Sequence, residues 1–197
     1  MDRGTTTVKE GRMKPTDDLK AEHRAIKTML EILLESGRKL DAQEKIEPEH
    51  FIQMVDFLRL FADKCHHGKE EGLLFPAMEE AGVAGTVGPL EAMLKAHEAG
   101  RGFVRAMGAA AQSYRLGAGG GREFAENARN YVSLLTGHID REDRVLFPLA
   151  DEVIPERKQR ELEDGFAELE ERVIGPGKHE ELHRLLERLS AAYLKNS

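Results

Sequence analysis

His66 to Pro76 reads HHGKEEGLLFP, and His138 to Pro148 reads HIDREDRVLFP. Laid over one another, they bring His66 onto His138, Glu70 onto Glu142, Leu74 onto Leu146 and Phe75-Pro76 onto Phe147-Pro148, an H-x-x-x-E pattern closed by L-F-P. Residues four apart share one helical face, one turn above each other, so a neutral imidazole nitrogen and a carboxylate oxygen can reach the same ion. A carboxylate buried among apolar neighbours is costly or protonates, and a cation supplies the missing charge. The repeat therefore asks for a metal at two corresponding places.

Helical spacing puts Val55, Leu58, Ala62, His66, Glu70, Leu73 and Ala77 on one stripe, and Phe124, Tyr131, Leu135, His138, Glu142, Val145 and Leu149 on another. Both His/Glu pairs are expected to face inward. His67 and Glu71 also stand four apart, about 100° further round an α-helix, on the side carrying Asp56, Asp63 and Lys64. That side reads as solvent-facing, which assigns His67 and Glu71 to the surface.

Working outward, Thr16-Asp17-Asp18 is a helix start and Ser36-Gly37 a stop, with Leu19, His23, Ile26, Leu30 and Leu33 inward between them. Pro48 suits the first turn of a second helix ending near Gly82, with Pro76 kinking or tightening its last turns. After a turn to Pro89, a third helix to about Leu116 carries Leu90, Met93, His97, Val104 and Met107 on one side. Gly117 to Gly121 breaks the chain before a fourth helix to about Val153. His23 precedes His66 by 43 residues and His97 precedes His138 by 41. Two matching helical hairpins, packed antiparallel up-down-up-down, would bring His23, His66, His97, His138, Glu70 and Glu142 to one level of an all-α four-helix bundle.

Residues 1–15 read as a disordered tail, 16–153 as the bundle and 154–197 as a C-terminal helical extension. In the extension, Leu162, Phe166, Leu169 and Val173 form one stripe, a GPG break stands at 175–177, and Leu182, Leu185, Leu186, Leu189 and Tyr193 form a second. Two amphipathic helices are expected, packed outside the bundle or against another subunit in a homodimer. His179 and His183, four apart among charged neighbours, read as solvated residues near a helix start.

The totals narrow the partners. A net charge of −7 with no run of Lys or Arg argues against nucleic acid. No window resembles a membrane span or the apolar core of a secretory signal, so a cytoplasmic protein is the default. A single cysteine leaves oxygen and nitrogen ligands within one chain. Cys65 reads as a small side chain beside the core, not a nucleophile.

The inward His23, His66-x-x-x-Glu70 with LFP, the inward His97, and His138-x-x-x-Glu142 with its own LFP together resemble the hemerythrin family, in particular the bacterial HHE cation-binding domains. The resemblance covers about residues 16 to 153. It implies a non-haem di-iron centre, with histidines capping both ions, Glu70 and Glu142 bridging them, and an oxo or hydroxo bridge between. Oxygen-carrying members have an H-x-x-x-H pair on the third helix, where this chain has Arg101 four after His97. Arginine carries only donors and a positive charge, so it is not a ligand. The expected set is therefore four histidines and two carboxylates, similar to HHE proteins linked to nitric-oxide and iron-centre stress rather than to reversible oxygen carriage. Iron-centre repair relatives carry an N-terminal cysteine-containing segment that this sequence lacks, so repair is not expected.

Imidazole and carboxylate also suit manganese or zinc. Three classes of function stay open: binding or sensing of oxygen, nitric oxide or peroxide; an enzyme of peroxidase-like, catalase-like or nitric-oxide-handling type; and a metal-free helical interaction module. Tyr131, two turns before His138, is either a hydrogen-bond donor to the centre or an ordinary buried tyrosine. The sequence singles out no catalytic residue.

Overall fold

The structure, a computed structural model, describes residues 14–85 and 88–194. Among them the backbone is helical or in turns, with no strand. Helix α1 spans Pro15–Asp41. The second rod is α2 (Pro48–Phe57), two π-helical segments (Leu58–His67 and Glu70–Leu74) and α3 (Phe75–Glu80). Helix α4 spans Pro89–Arg115, and the fourth rod is α5 (Gly121–Arg141), a π-helical segment (Glu142–Leu146) and α6 (Phe147–Val153). Helices α7 (Glu156–Val173) and α8 (Lys178–Tyr193) complete the chain. No helix among the described residues is long and apolar enough to cross a membrane.

Two of the expected boundaries of α1 move, for local reasons. The helix starts one residue early because Pro15 takes the first helical position, where a missing N–H costs nothing, while the Lys14 N–H donates to Asp17 Oδ2 at 3.0 Å. The expected tail lies outside the described residues over 1–13. Nor does Ser36-Gly37 stop the helix, which continues to Asp41. Ser36 is buried and its hydroxyl donates to the Leu33 carbonyl at 2.8 Å. Gly37 packs opposite Ala125 of α5 within the helix, so neither residue of the pair acts as a stop.

The π segments set the level and facing of the site. Each of the two short ones begins at a repeat glutamate and ends immediately before Phe-Pro. A proline ring cannot donate and clashes with the carbonyl four residues earlier, and a widened turn relieves both problems. The widened turn admits an extra residue, so the buried stripe slips by one. Leu74 and Leu146 are buried where α-helical spacing had placed Leu73 and Val145, and Val145 is 55% exposed.

Two apolar clusters fill the bundle. One holds Ile26, Phe51, Phe61, Val104, Met107, Phe124 and Leu135, and the other holds Leu19, Leu74, Phe75, Met93, Leu146 and Phe147. Along every rod the repeat histidines and glutamates fall between a residue of one cluster and a residue of the other. They therefore form a polar layer sandwiched by hydrocarbon.

Helices α7 and α8 pack outside the bundle against α1. Leu162 and Phe166 join one cluster and Leu182, Leu185, Leu186, Leu189 and Tyr193 the other. The turn between these helices uses Gly175 and Gly177 at φ of 86° and 75°, a region that disfavours other residues. Both apolar faces pack within the chain, the first of the two expected arrangements.

Candidate metal centre

All six side chains singled out from the repeat meet in the polar layer. His23, His66, His97 and His138 are at most 2% exposed, and Glu70 and Glu142 are fully buried. His66 Nε2 stands 3.7 Å from Glu70 Oε1, and His97 Nε2 3.4 Å from Glu70 Oε2. His23 Nε2 lies 3.3 Å from Glu142 Oε2, and His138 Nε2 2.9 Å from Glu142 Oε1. Every one of these imidazoles turns Nε2 to the centre, and each glutamate faces histidines of both hairpins.

The donor atoms sort into two overlapping groups. His23, His66, Glu70 and Glu142 each offer an atom within 4.8 Å of the others, and so do His67, His97, His138 and Glu70. Despite the short distances, all four carboxylate oxygens of Glu70 and Glu142 lack a hydrogen bond among the described residues, as does His23 Nε2. Buried polar atoms are nearly always partnered, and an unpaired buried carboxylate is among the costliest exceptions. Two such carboxylates ringed by imidazole nitrogens fit a pair of cations.

Electrostatics agree. Burial opposes charge on His23, yet the hydrogen bond to Asp143 and the nearby Glu142 carboxylate outweigh it and push the imidazole up to about 9. Burial likewise opposes charge on His97, and Glu70 and Glu71 push it up to about 9. Glu142 is held below the usual carboxylate range: burial works against this, and His138 and His23 overcome it. The carboxylates thus demand positive charge at the centre. A metal ion would supply it, with the imidazole nitrogens as donors in place of the protons they would otherwise carry.

The family model for the hemerythrin HHE cation-binding domain matches residues 14–150. The chain belongs to the hemerythrin family. Uncharacterized proteins of Mycobacterium bovis and Mycobacterium tuberculosis are each 26% identical to it over 172 residues, covering 87% of this chain and 67% of the relative. No solved structure matches.

This hemerythrin-family centre contains one imidazole more than the sequence assigned inward. His67, placed at the surface by α-helical spacing, is 4% exposed and stacks on His97 with ring centroids 3.9 Å apart. The reason is the π-helical segment Leu58–His67, whose i→i+5 bonding shrinks the angular step between neighbours and swings His67 in beside His66. Burial, then the charge on His97, holds His67 well below the usual histidine range. The centre accordingly gathers five imidazoles. Glu71, also assigned to solvent, is half-buried, and its Oε1 accepts from His97 Nδ1 at 2.6 Å.

Sequence reasoning missed the outer ring of acids. Asp143 lies 2.7 Å from His23 Nδ1 and Glu22 lies 2.8 Å from His66 Nδ1, so these acids orient the rings and fix which nitrogen faces inward. A signal for two of them was present: Glu71 and Asp143 occupy the same place in the repeat, immediately after Glu70 and Glu142. Each holds the lone histidine of a different rod. Glu22 had no such signal, because its counterpart before His97 is Ala96.

Behind Glu22 stands Lys69, 1% exposed, whose ammonium donates to Glu22 at 2.6 Å, Asp18 at 2.9 Å and Glu170 of α7 at 3.2 Å. Burial opposes its charge, and Glu22 outweighs that to keep the lysine protonated. Arg101 is no part of the inner set, as expected; it clamps Glu71 at 2.6 Å and Asp63 at 2.8 Å. Cys65 is buried, and burial with nearby Glu22 pushes its thiol up to about 12, an unreactive state. His179 is not simply solvated: it pairs with Glu170 at 2.9 Å and stacks on Phe61 at 5.5 Å.

Proposed function

We propose that this chain is a cytoplasmic, non-haem di-iron protein that binds or senses a small ligand such as oxygen, nitric oxide or peroxide. The observation that carries the reading is the pair of donor groups overlapping at Glu70, in a layer where four buried carboxylate oxygens have no hydrogen bond. In this reading Glu70 and Glu142 would be shared between the ions, with His23 and His66 holding one and His67, His97 and His138 the other. The short links between rods support an up-down-up-down course that brings these side chains to one level.

Bound iron supplies a redox-active centre for a diatomic molecule or peroxide. The chain's own residues orient the imidazoles through Asp143, Glu22 and Glu71 and exclude water with the phenyl rings of Phe75 and Phe147, which stack on His97 and His23. Metal analysis and absorption spectroscopy after aerobic iron loading test the assignment. Two ions per chain with charge-transfer bands are expected, and fewer than two in His138→Ala. Zinc or manganese without such bands would change the metal, and no metal in either form would sink the reading. Consumption of peroxide or nitric oxide by the reduced, loaded protein would make it an enzyme rather than a binder.

A further inference from the structure

Outside the bundle, α8 opens with two more histidines at helical spacing. His179 and His183 stand four apart, and their Nε2 atoms lie 3.2 Å from one another. Two imidazoles on one helix face are thus aimed at one point, and groups from other elements hold them there. Glu170 Oε1 of α7 stands 2.9 Å from His179 Nδ1, while its Oε2 is fixed by the buried Lys69 at 3.2 Å. Phe61, in the π-helical segment of the second rod, stacks on the His179 ring at 5.5 Å and meets the His183 ring edge-on at 5.7 Å.

A contact of that length between two ring nitrogens holds one proton, and the Glu170 carboxylate favours a second on His179 Nδ1. Glu170 accordingly raises His179 above the usual histidine range, whereas burial, then the charge on His179, lowers His183. One positive charge therefore already sits between the two nitrogens. Zinc binds imidazole nitrogen at about 2.0 to 2.1 Å, so nitrogens this far apart subtend about 100° at such an ion, close to the tetrahedral value. Ligating histidines commonly turn their other ring nitrogen to a carboxylate, the place that Glu170 takes for His179. His183 is exposed and His179 half-buried, so the point between them is reached from solvent, and Glu187 adds negative charge near His183.

We propose that His179 and His183 form a separate, surface site for a divalent transition cation of the zinc class, with water completing its shell. The ion takes the place of the proton shared by the two Nε2 atoms. Glu170 is a positioning residue, and imidazole donors select against magnesium and calcium. This site has no ligand in common with the polar layer and does not rest on the metal-pair reading.

The test titrates the full-length, metal-free protein with zinc chloride and follows the ring nitrogens of each histidine by nuclear magnetic resonance. The Nε2 signals of His179 and His183 are expected to move together and saturate, and magnesium chloride should leave them unmoved. His183→Gln, at an exposed position, should abolish the His179 shift, and Glu170→Gln should weaken binding about 10-fold. Unmoved rings on α8, an unchanged His179 shift in His183→Gln, or an equal response to magnesium would each overturn the site. The rings of His23, His66, His97 and His138 are read in the same spectra. Zinc on α8 with none in the polar layer would support this site and count against the metal pair, and zinc in the layer alone would do the reverse.

Discussion

The two halves of the metal layer come from the same repeat and are built differently. In the half around His23 and His66, both imidazoles are pinned at Nδ1, by Asp143 at 2.7 Å and Glu22 at 2.8 Å. Glu22 is held in turn by the buried Lys69, and Lys69 by Glu170 of α7. In the half around His67, His97 and His138, only His97 is pinned, by Glu71. His138 Nδ1 is buried without a partner among the described residues, and His67 Nδ1 stands 3.6 Å from Asp63, too far for a good hydrogen bond. The second half thus has one imidazole more and one anchor fewer, and its His67 lines a cavity of about 120 Å³ between the second rod, α4 and α5. The comparison teaches that the repeat supplies the inner donors, while single-residue departures from it, His67 for Ile139 and Glu22 for Ala96, divide the halves into a more anchored and a less anchored side.

The largest expected effect comes from the residue both halves share. Glu70→Gln removes the charge common to the two donor groups and should lower bound metal from two ions to none, measured as metal content after dialysis. Retention of one full ion would mean that the halves are independent. His67→Ile imposes the repeat's other residue at that position and should cost one ion, the one beside the cavity, while His23→Ala should cost the opposite one. Equal loss in both variants would erase the distinction between the halves.

Weaker effects should follow from the anchors. Glu22→Gln is expected to loosen the His66 side about 10 to 100-fold in chelator competition, the usual range for a carboxylate that orients a liganding histidine. Glu170→Gln acts through Lys69 and Glu22 and should loosen the same side by less than about 10-fold. If either variant changed only the melting temperature of the metal-free protein and left both affinities untouched, the Lys69 network would be structural and the halves equally anchored.

How much of this was readable in advance follows from which interactions are local. The six repeat residues and the rods were legible because His66, Glu70, His138 and Glu142 are paired within one turn and Leu-Phe-Pro marks the same place twice. His67 was misplaced because its facing depends on a π turn, and helical spacing assumes a constant angular step. The same slip exchanged Leu73 and Val145 for Leu74 and Leu146. Glu22, Lys69 and Glu170 were hidden for a different reason: in a chain with 33% charged residues, acids and lysines on a helix look like ordinary surface. Their partners are distant, Lys69 and Glu170 being 101 residues apart. Only the folded chain shows that the C-terminal extension reaches a histidine of the centre.

The smallest predicted effect concerns that reach. The hydrogen bond to His179, helped by Lys69 and opposed by burial, lowers Glu170 to about 2 from an ordinary 4.5. The same bond raises His179 above its ordinary 6.5. Stability from Glu170 is present above pH 4.5 and lost as pH falls toward 2; stability from His179 is present below 6.5 and lost as pH rises through its raised value. The pair should therefore contribute most between pH 4.5 and 6.5, and because both groups are half-exposed, by no more than about 1 kcal/mol. Melting temperatures of the metal-free protein and of His179→Gln should differ most in that window and converge on the alkaline side, where Lys69 still holds Glu170. A difference that stayed constant into alkali would mean that His179 secures α8 through its ring on Phe61 rather than through charge, leaving the Lys69–Glu170 pair to tie the extension to the anchored half.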